Sequence, residues 1–200
     1  MGSRPAIVLD LGCGRRKTPG AIGVDRFPLR GVDVVCDLNA GLPFADSAAD
    51  EILACHVLEH LDDFPAALQE IWRVCQPQAR VRIWTPHFSS GLTSWSDPTH
   101  KRTFTSSSFE YFLPESNSHY LRARFRIDSI RLHFNLGGVH EPGHKLRHRL
   151  YYYAGRALEG WANRSRRRQR HAERFLCRWV PFDELYIELR AEKAAAAPPG

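Results

Sequence analysis

Apolar positions in the first half of the chain fall into short runs, each closed by a glycine, an acid or another polar residue. Ala6 to Leu11 reads as a buried strand ending in a glycine turn. Ala21 to Asp25, Val32 to Cys36 and Glu51 to Cys55 read as three more, and Arg80 to Trp84 as a fifth, ended by Thr85-Pro86. Near-continuous apolar runs suit central parallel strands covered on both faces. Between the fourth and fifth runs, Phe64, Ala67, Leu68, Ile71, Trp72 and Cys75 recur at three-to-four residue spacing, which predicts an amphipathic helix. Asp62 and Asp63 cap its start, Pro65 sits in its first turn, and Pro77 ends it. A helix there makes the flanking strands parallel through a right-handed crossover.

The second half is less regular. Phe125 to Phe134 and Leu185 to Ala191 alternate in part and predict two late strands, the last of them antiparallel. Leu146, Leu150, Tyr153, Ala157, Leu158 and Trp161 keep a helical period between them. The expectation is a Rossmann-like α/β domain over residues 1–193: a mostly parallel sheet, helices on both faces, and a helical insertion at about 137–180. The Ala/Pro-rich tail 194–200 is expected to fray.

Composition narrows the class. A hydrophobic share of 43% and a charged share of 25% suit a folded chain rather than a disordered one. No stretch approaches the roughly 20 apolar residues of a membrane span, and the first residues do not form a signal peptide. Five cysteines without a CxxC pair read as reduced, so a cytoplasmic location is expected. The formal net charge of +6 is uneven, with Arg164, Arg166, Arg167, Arg168, Arg170, His171 and Arg174 crowded together. Such a cluster suits a solvated helix face, or a surface for nucleic acid, anionic lipid or an acidic substrate.

The main chemical signal is Gly12-Cys13-Gly14 directly after the first strand, a turn that brings backbone close to a ligand. Lys17 stands where a dinucleotide fingerprint needs a third small residue, and no Gly-Lys-Ser/Thr sequence follows, so dinucleotide and P-loop readings fail. Asp25 ends the second strand and has two acceptor oxygens for the hydroxyls of a ribose.

Val8-Leu9-Asp10-Leu11-Gly12-Cys13-Gly14 resembles the first motif of class I S-adenosylmethionine-dependent methyltransferases. Gly23-Val24-Asp25, Asp37-Leu38-Asn39 with Leu42-Pro43-Phe44, and Asp50-Glu51-Ile52 with His56-Val57-Leu58-Glu59-His60 resemble their later motifs in order. Asp97-Pro98-Thr99-His100-Lys101-Arg102 with Phe104 resembles a bacterial branch of the methyltransferase type 11 group. One departure is Gln76-Pro77-Gln78-Ala79, where the family has a Lys-Pro-Gly-Gly turn. The resemblance implies S-adenosyl-L-methionine as cofactor, with Asp10 and the Gly12, Cys13 and Gly14 backbone at its amino-acid end. It implies Asp25 on the ribose, Asp37 and Leu38 beside the adenine, and His56 near the methionine portion.

Methyl transfer asks mainly for alignment and exclusion of water, and for a base only where the acceptor must lose a proton. His60 and His100 are the candidate general bases. His56 and His60 lack a third ligand at diagnostic spacing, so no metal site is expected. A small molecule or a glycan or lipid precursor is the expected acceptor. No RNA-binding module is recognisable. Alternatives are a catalytically silent binding protein of the same fold, and an RNA- or membrane-surface protein using the basic cluster.

Overall fold

The computed structural model describes residues 4–116, 121–134 and 146–193, with the side chains of 146–149 left aside. Seven strands form one sheet in the order β3-β2-β1-β4-β5-β7-β6. They are β1 Val8–Leu11, β2 Ile22–Asp25, β3 Val34–Val35, β4 Ala49–Cys55, β5 Cys75–Pro86, β6 Phe125–His133 and β7 Glu184–Ala191. The first five pair in parallel, and β7 runs antiparallel to both β5 and β6. The mostly parallel sheet with an antiparallel last strand is as expected from the sequence.

Helix α1 spans Phe64–Val74, capped by the Asp63 carboxylate on the Ala66 N–H. Its buried stripe of Phe64, Ala67, Leu68, Ile71 and Val74 covers Val81 and Ile83 of β5 within one apolar cluster. The helix ends at Val74, and Pro77 lies inside β5 rather than terminating α1. Pro77 is tolerated there because the ladder to β4 is interrupted between Ala49 and Glu51. Beside it, Gln78 takes φ +65°, a left-handed conformation that glycine adopts more cheaply.

Helix cover is unequal between the two faces. Leu9, Leu11, Ile52, Ala54, Val81, Ile83, Ile187 and Leu189 share one face and one core. On the other face, Leu53, Trp84 and Tyr186 stand outside that core. There Trp84 and Tyr186 pair at 4.6 Å, and Glu51 binds Arg82 and Arg80 across strands. The alternation Arg80-Val81-Arg82-Ile83 is what makes β5 one-sided. The apolar core is therefore concentrated on one face of these strands.

The β1–β2 connection contains turns and no helix. Lys17 crosses it to pair with Asp33 at 2.7 Å, and Asp33 also accepts from the Gly23 N–H. A Cβ on Gly23 would meet Lys17, Cys13 and the Gly31 carbonyl inside 3.0 Å, so this short loop needs glycine beneath it.

Between β5 and β6 lies the short helix α2, Gly91–Trp95. Between β6 and β7, helices α3 (Leu146–Ala162) and α4 (Arg166–His171) are followed by a π-turn at Ala172–Leu176. This excursion seals the outer edge of the sheet. Asn163 exchanges hydrogen bonds with the Leu132 N–H and carbonyl, and Gln169 donates to the Ile130 carbonyl. Edge backbone groups that would otherwise invite a foreign strand are thereby satisfied. The tail 194–200 and the first part of the expected insertion lie outside the described residues.

Candidate active site

The carboxyl ends of β1, β2, β4 and β5 deliver Gly12, Asp25, His56 and His87 to the same end of the sheet. Ligands of open α/β sheets bind there. A cavity of about 690 Å³ opens at this edge, within the range of small-ligand sites. Gly12, Asp25, Asp37, Leu38, His56 and His60 all line it.

Gly12 adopts φ +64°, and a Cβ there would sit 2.7 Å from the Val57 side chain. Glycine is required both by conformation and by the close approach of the turn to the exit of β4. Gly14, at φ +52°, donates its N–H to Asp25 Oδ2 at 2.9 Å, and Phe27 donates to Oδ1 at 3.0 Å. The glycine turn and the strand-ending acid thus form one hydrogen-bonded unit. Each carboxylate oxygen keeps a further lone pair for a ligand hydroxyl. Asp10 is turned away, accepting from the Thr18 N–H at 2.7 Å, and neither it, Cys13 nor Gly14 lines the cavity. Asp37 caps the turn at Leu38–Ala40 through the Asn39 N–H, and Leu38 lines the cavity beside it.

His56, at φ +50°, is held between Glu59 and Glu184, each 3.3 Å from one ring nitrogen. Hydrogen bonding to Glu184 and then to Glu59 raises its pKa to about 9, against the opposing effect of burial. At neutral pH the His56 ring at the cavity wall is a cation, paired with Glu59 and Glu184, which do not themselves line the cavity.

The opposite wall comes from the segment after β5. Thr99 Oγ donates to Asp97 at 2.6 Å and lies 2.9 Å from His60 Nδ1. With the hydroxyl proton directed to Asp97, His60 is the donor to Thr99 and its Nε2 keeps a free lone pair. The Thr99 hydroxyl and the Thr99 N–H both donate to the Asp97 carboxyl and hold it below its usual range. His100 lies edge-on to His60, with ring centres 4.7 Å apart, and its Nδ1 meets the Ser94 carbonyl at 2.9 Å. His100 itself does not line the cavity.

Glu59, His60 and His100 offer donor atoms within 4.8 Å of one another, close enough to share a cation, although the sequence pointed to no metal. Glu59 is fully buried; its Oε2 accepts from the Thr85 hydroxyl and its Oε1 faces His56 Nδ1 at 3.3 Å.

Sequence reasoning missed Phe27, Leu29, Asn39, Leu61, Thr99 and Lys101 as lining residues. Phe27, two places after the strand-ending acid, was the most accessible of these from position alone.

Residues 18–83 match a family model described as a methyltransferase domain. No curated protein matches the sequence significantly. Among solved structures, the chain is similar to a SAM-dependent methyltransferase from Archaeoglobus fulgidus, with a TM-score of 0.55 and 19% identity over 92% of this chain and 86% of that one. It is similar to the YcgJ protein from Bacillus subtilis, with a TM-score of 0.54 and 15% identity over 95% and 93% of the two chains. Residues 18–83 thus resemble a methyltransferase domain, and the chain shares the fold of these SAM-dependent methyltransferases. S-adenosylmethionine is the cofactor this implies. The cavity fits it: Asp25 offers acceptor oxygens for ribose hydroxyls, and Phe27, Leu29 and Leu38 form an apolar wall. A third fold neighbour, the [4+2]-cyclase SpnF, at 18% identity and a TM-score of 0.54, shows the methyltransferase fold under another reaction's name.

Proposed function

We propose that this methyltransferase domain transfers the methyl group of S-adenosylmethionine to an oxygen or nitrogen acceptor entering from the His60–Thr99 side of the cavity. A small molecule or a glycan or lipid precursor is the acceptor class. The observation that carries the proposal is the Asp97–Thr99–His60 hydrogen-bonded series lining the same cavity as Gly12, Asp25 and Leu38.

When bound, the cofactor supplies an electrophilic methyl on a sulfonium. Asp25 binds the ribose hydroxyls, and Asp37 and Leu38 border the adenine. Thr99 and Asp97 fix the His60 tautomer with Nε2 free, so His60 accepts the acceptor's proton while the methyl is transferred. A base positioned in this way contributes about 10²–10⁴ in rate. His100 is a positioning residue, packed against the His60 ring.

The test offers cofactor carrying a tritiated methyl group to polar-metabolite and lipid fractions, with wild type and His60→Gln side by side. Transfer by the wild type, reduced about a hundredfold or more in the variant while cofactor affinity is kept, supports the assignment. Cofactor binding with no transfer to any fraction identifies a silent binding protein instead.

A further inference from the structure

The α2 and α3–α4 surface is not used by the cofactor site, and its charge distribution is extreme. Residues 164–178 hold seven arginines and one glutamate, so this stretch alone equals the formal net charge of +6 for the whole chain. Arg164, Arg167, Arg174 and Arg178 are exposed and make no ion pair among the described residues. A cleft of about 660 Å³ runs through this region, walled by Arg168, His171 and Arg174 with Trp161 and Phe175. Arg168 covers the Trp161 ring at 5.5 Å and Arg174 the Phe175 ring at 5.3 Å.

Apolar side chains also stand out into solvent on α2, on α3 and at Trp179, the neighbour of Arg178 in the chain. Trp179 is 80% exposed, Leu92 79%, Trp95 65%, Leu150 61% and Tyr153 59%. Side-chain hydrogen bonds tie the segments that carry them. The Tyr151 hydroxyl donates to the Trp179 carbonyl, linking α3 to the segment before β7. Ser90 and Thr93 donate to Asp183, linking α2 to that same segment. The Ser94 carbonyl meets His100, whose ring lies against His60. Through these contacts α2 adjoins the His60 side of the cavity. No helix among the described residues is long and apolar enough to cross a membrane.

We infer that the α2 and α3–α4 surface docks on an anionic membrane, with Trp95, Trp179 and Leu92 entering the interface and the arginines engaging lipid phosphates, so that the acceptor is drawn from the bilayer surface. Rigid exposed tryptophans beside arginine are the chemistry of an interfacial anchor. A nucleic-acid surface fits less well, because the rings of Trp161 and Phe175 already carry guanidinium groups where bases would stack. The assignment of the acceptor's source rests on the methyltransferase reading; the docking does not.

The test is co-sedimentation of the full chain with vesicles of phosphatidylcholine alone or mixed with phosphatidylglycerol, at low and high salt. The proposal expects binding to the mixed vesicles only, weakened by salt. It expects about a tenfold or greater loss of partitioning in R167E/R174E/R178E and, separately, in W95S/W179S. Cofactor calorimetry on the same samples shows that the variants are folded, and a wild type that binds vesicles but no cofactor would overturn the methyltransferase reading while leaving the docking intact. The docking is overturned by equal pelleting of wild type and folded variants, by no pelleting, by binding to single-stranded RNA without vesicle binding, or by a rim that instead mediates dimerisation.

Discussion

The two walls of the cavity are built by different means. The wall of β1, β2 and β4 is held by backbone: Gly12 fits only because it lacks a Cβ, and Gly14 and Phe27 close on Asp25 through their N–H groups. The wall formed by residues after β5 is held by side chains. His87, fully buried at the end of β5, meets Glu173 of the π-turn at 3.0 Å and Ser89 at 2.8 Å, and Glu173 also takes both the N–H and the hydroxyl of Ser106. One wall is therefore fixed by sterics that few substitutions can imitate. The other is a polar network that tunes position and responds to pH.

Substitutions separate the two. The largest effect is expected for Gly12→Val, which combines a strained φ with a 2.7 Å clash against Val57. A loss of about 3 kcal/mol or more is expected in denaturant unfolding, together with loss of cofactor binding. Glu173→Ala should cost about 2–4 kcal/mol by leaving His87 Nε2 and the Ser106 N–H buried without partners. Cofactor affinity should fall less than stability does, because Glu173 lies outside the cavity. Equal losses of affinity in both variants would erase the distinction between the walls.

The pH responses also differ in sign. Burial alone would push the Glu173 carboxyl up, but hydrogen bonds from His87 and Ser106 outweigh it and leave the group below its usual range. Its stabilisation is present above the ordinary glutamate pKa and is lost as pH falls through the lowered value. His56 is raised to about 9, so its contribution is complete below its ordinary pKa and disappears as pH climbs through about 9. Melting curves of wild type and His56→Gln should therefore differ at pH 7 and converge above pH 9; a constant difference across that window would contradict the ion-pair account. The smallest effect belongs to Gln78→Gly, which relieves a left-handed residue and should stabilise by about 0.5–1 kcal/mol in thermal unfolding.

The backbone-held wall was the more legible in sequence. Strand-ending Asp25, Asp37 and His56 are local signals, and Gly12 announces a turn without reference to the rest of the chain. The alternation Arg80-Val81-Arg82-Ile83 was present too, yet its meaning as a one-sided strand depends on which helices fail to cover the sheet. Contacts such as His87 with Glu173 or His60 with Thr99 join residues far apart in sequence, and no periodicity encodes them. His100 was singled out beside His60, but its place behind that ring rather than on the cavity became visible only with the Ser94 carbonyl in position.

The most direct measurement is calorimetric titration of the purified chain with S-adenosylmethionine and with its demethylated product, alongside Asp25→Ala. The account predicts one site of roughly micromolar affinity in the wild type. It predicts loss of that site in Asp25→Ala while α1 and the sheet remain folded by circular dichroism. A folded wild type that binds neither molecule, or an Asp25→Ala variant that binds both as tightly, would contradict it.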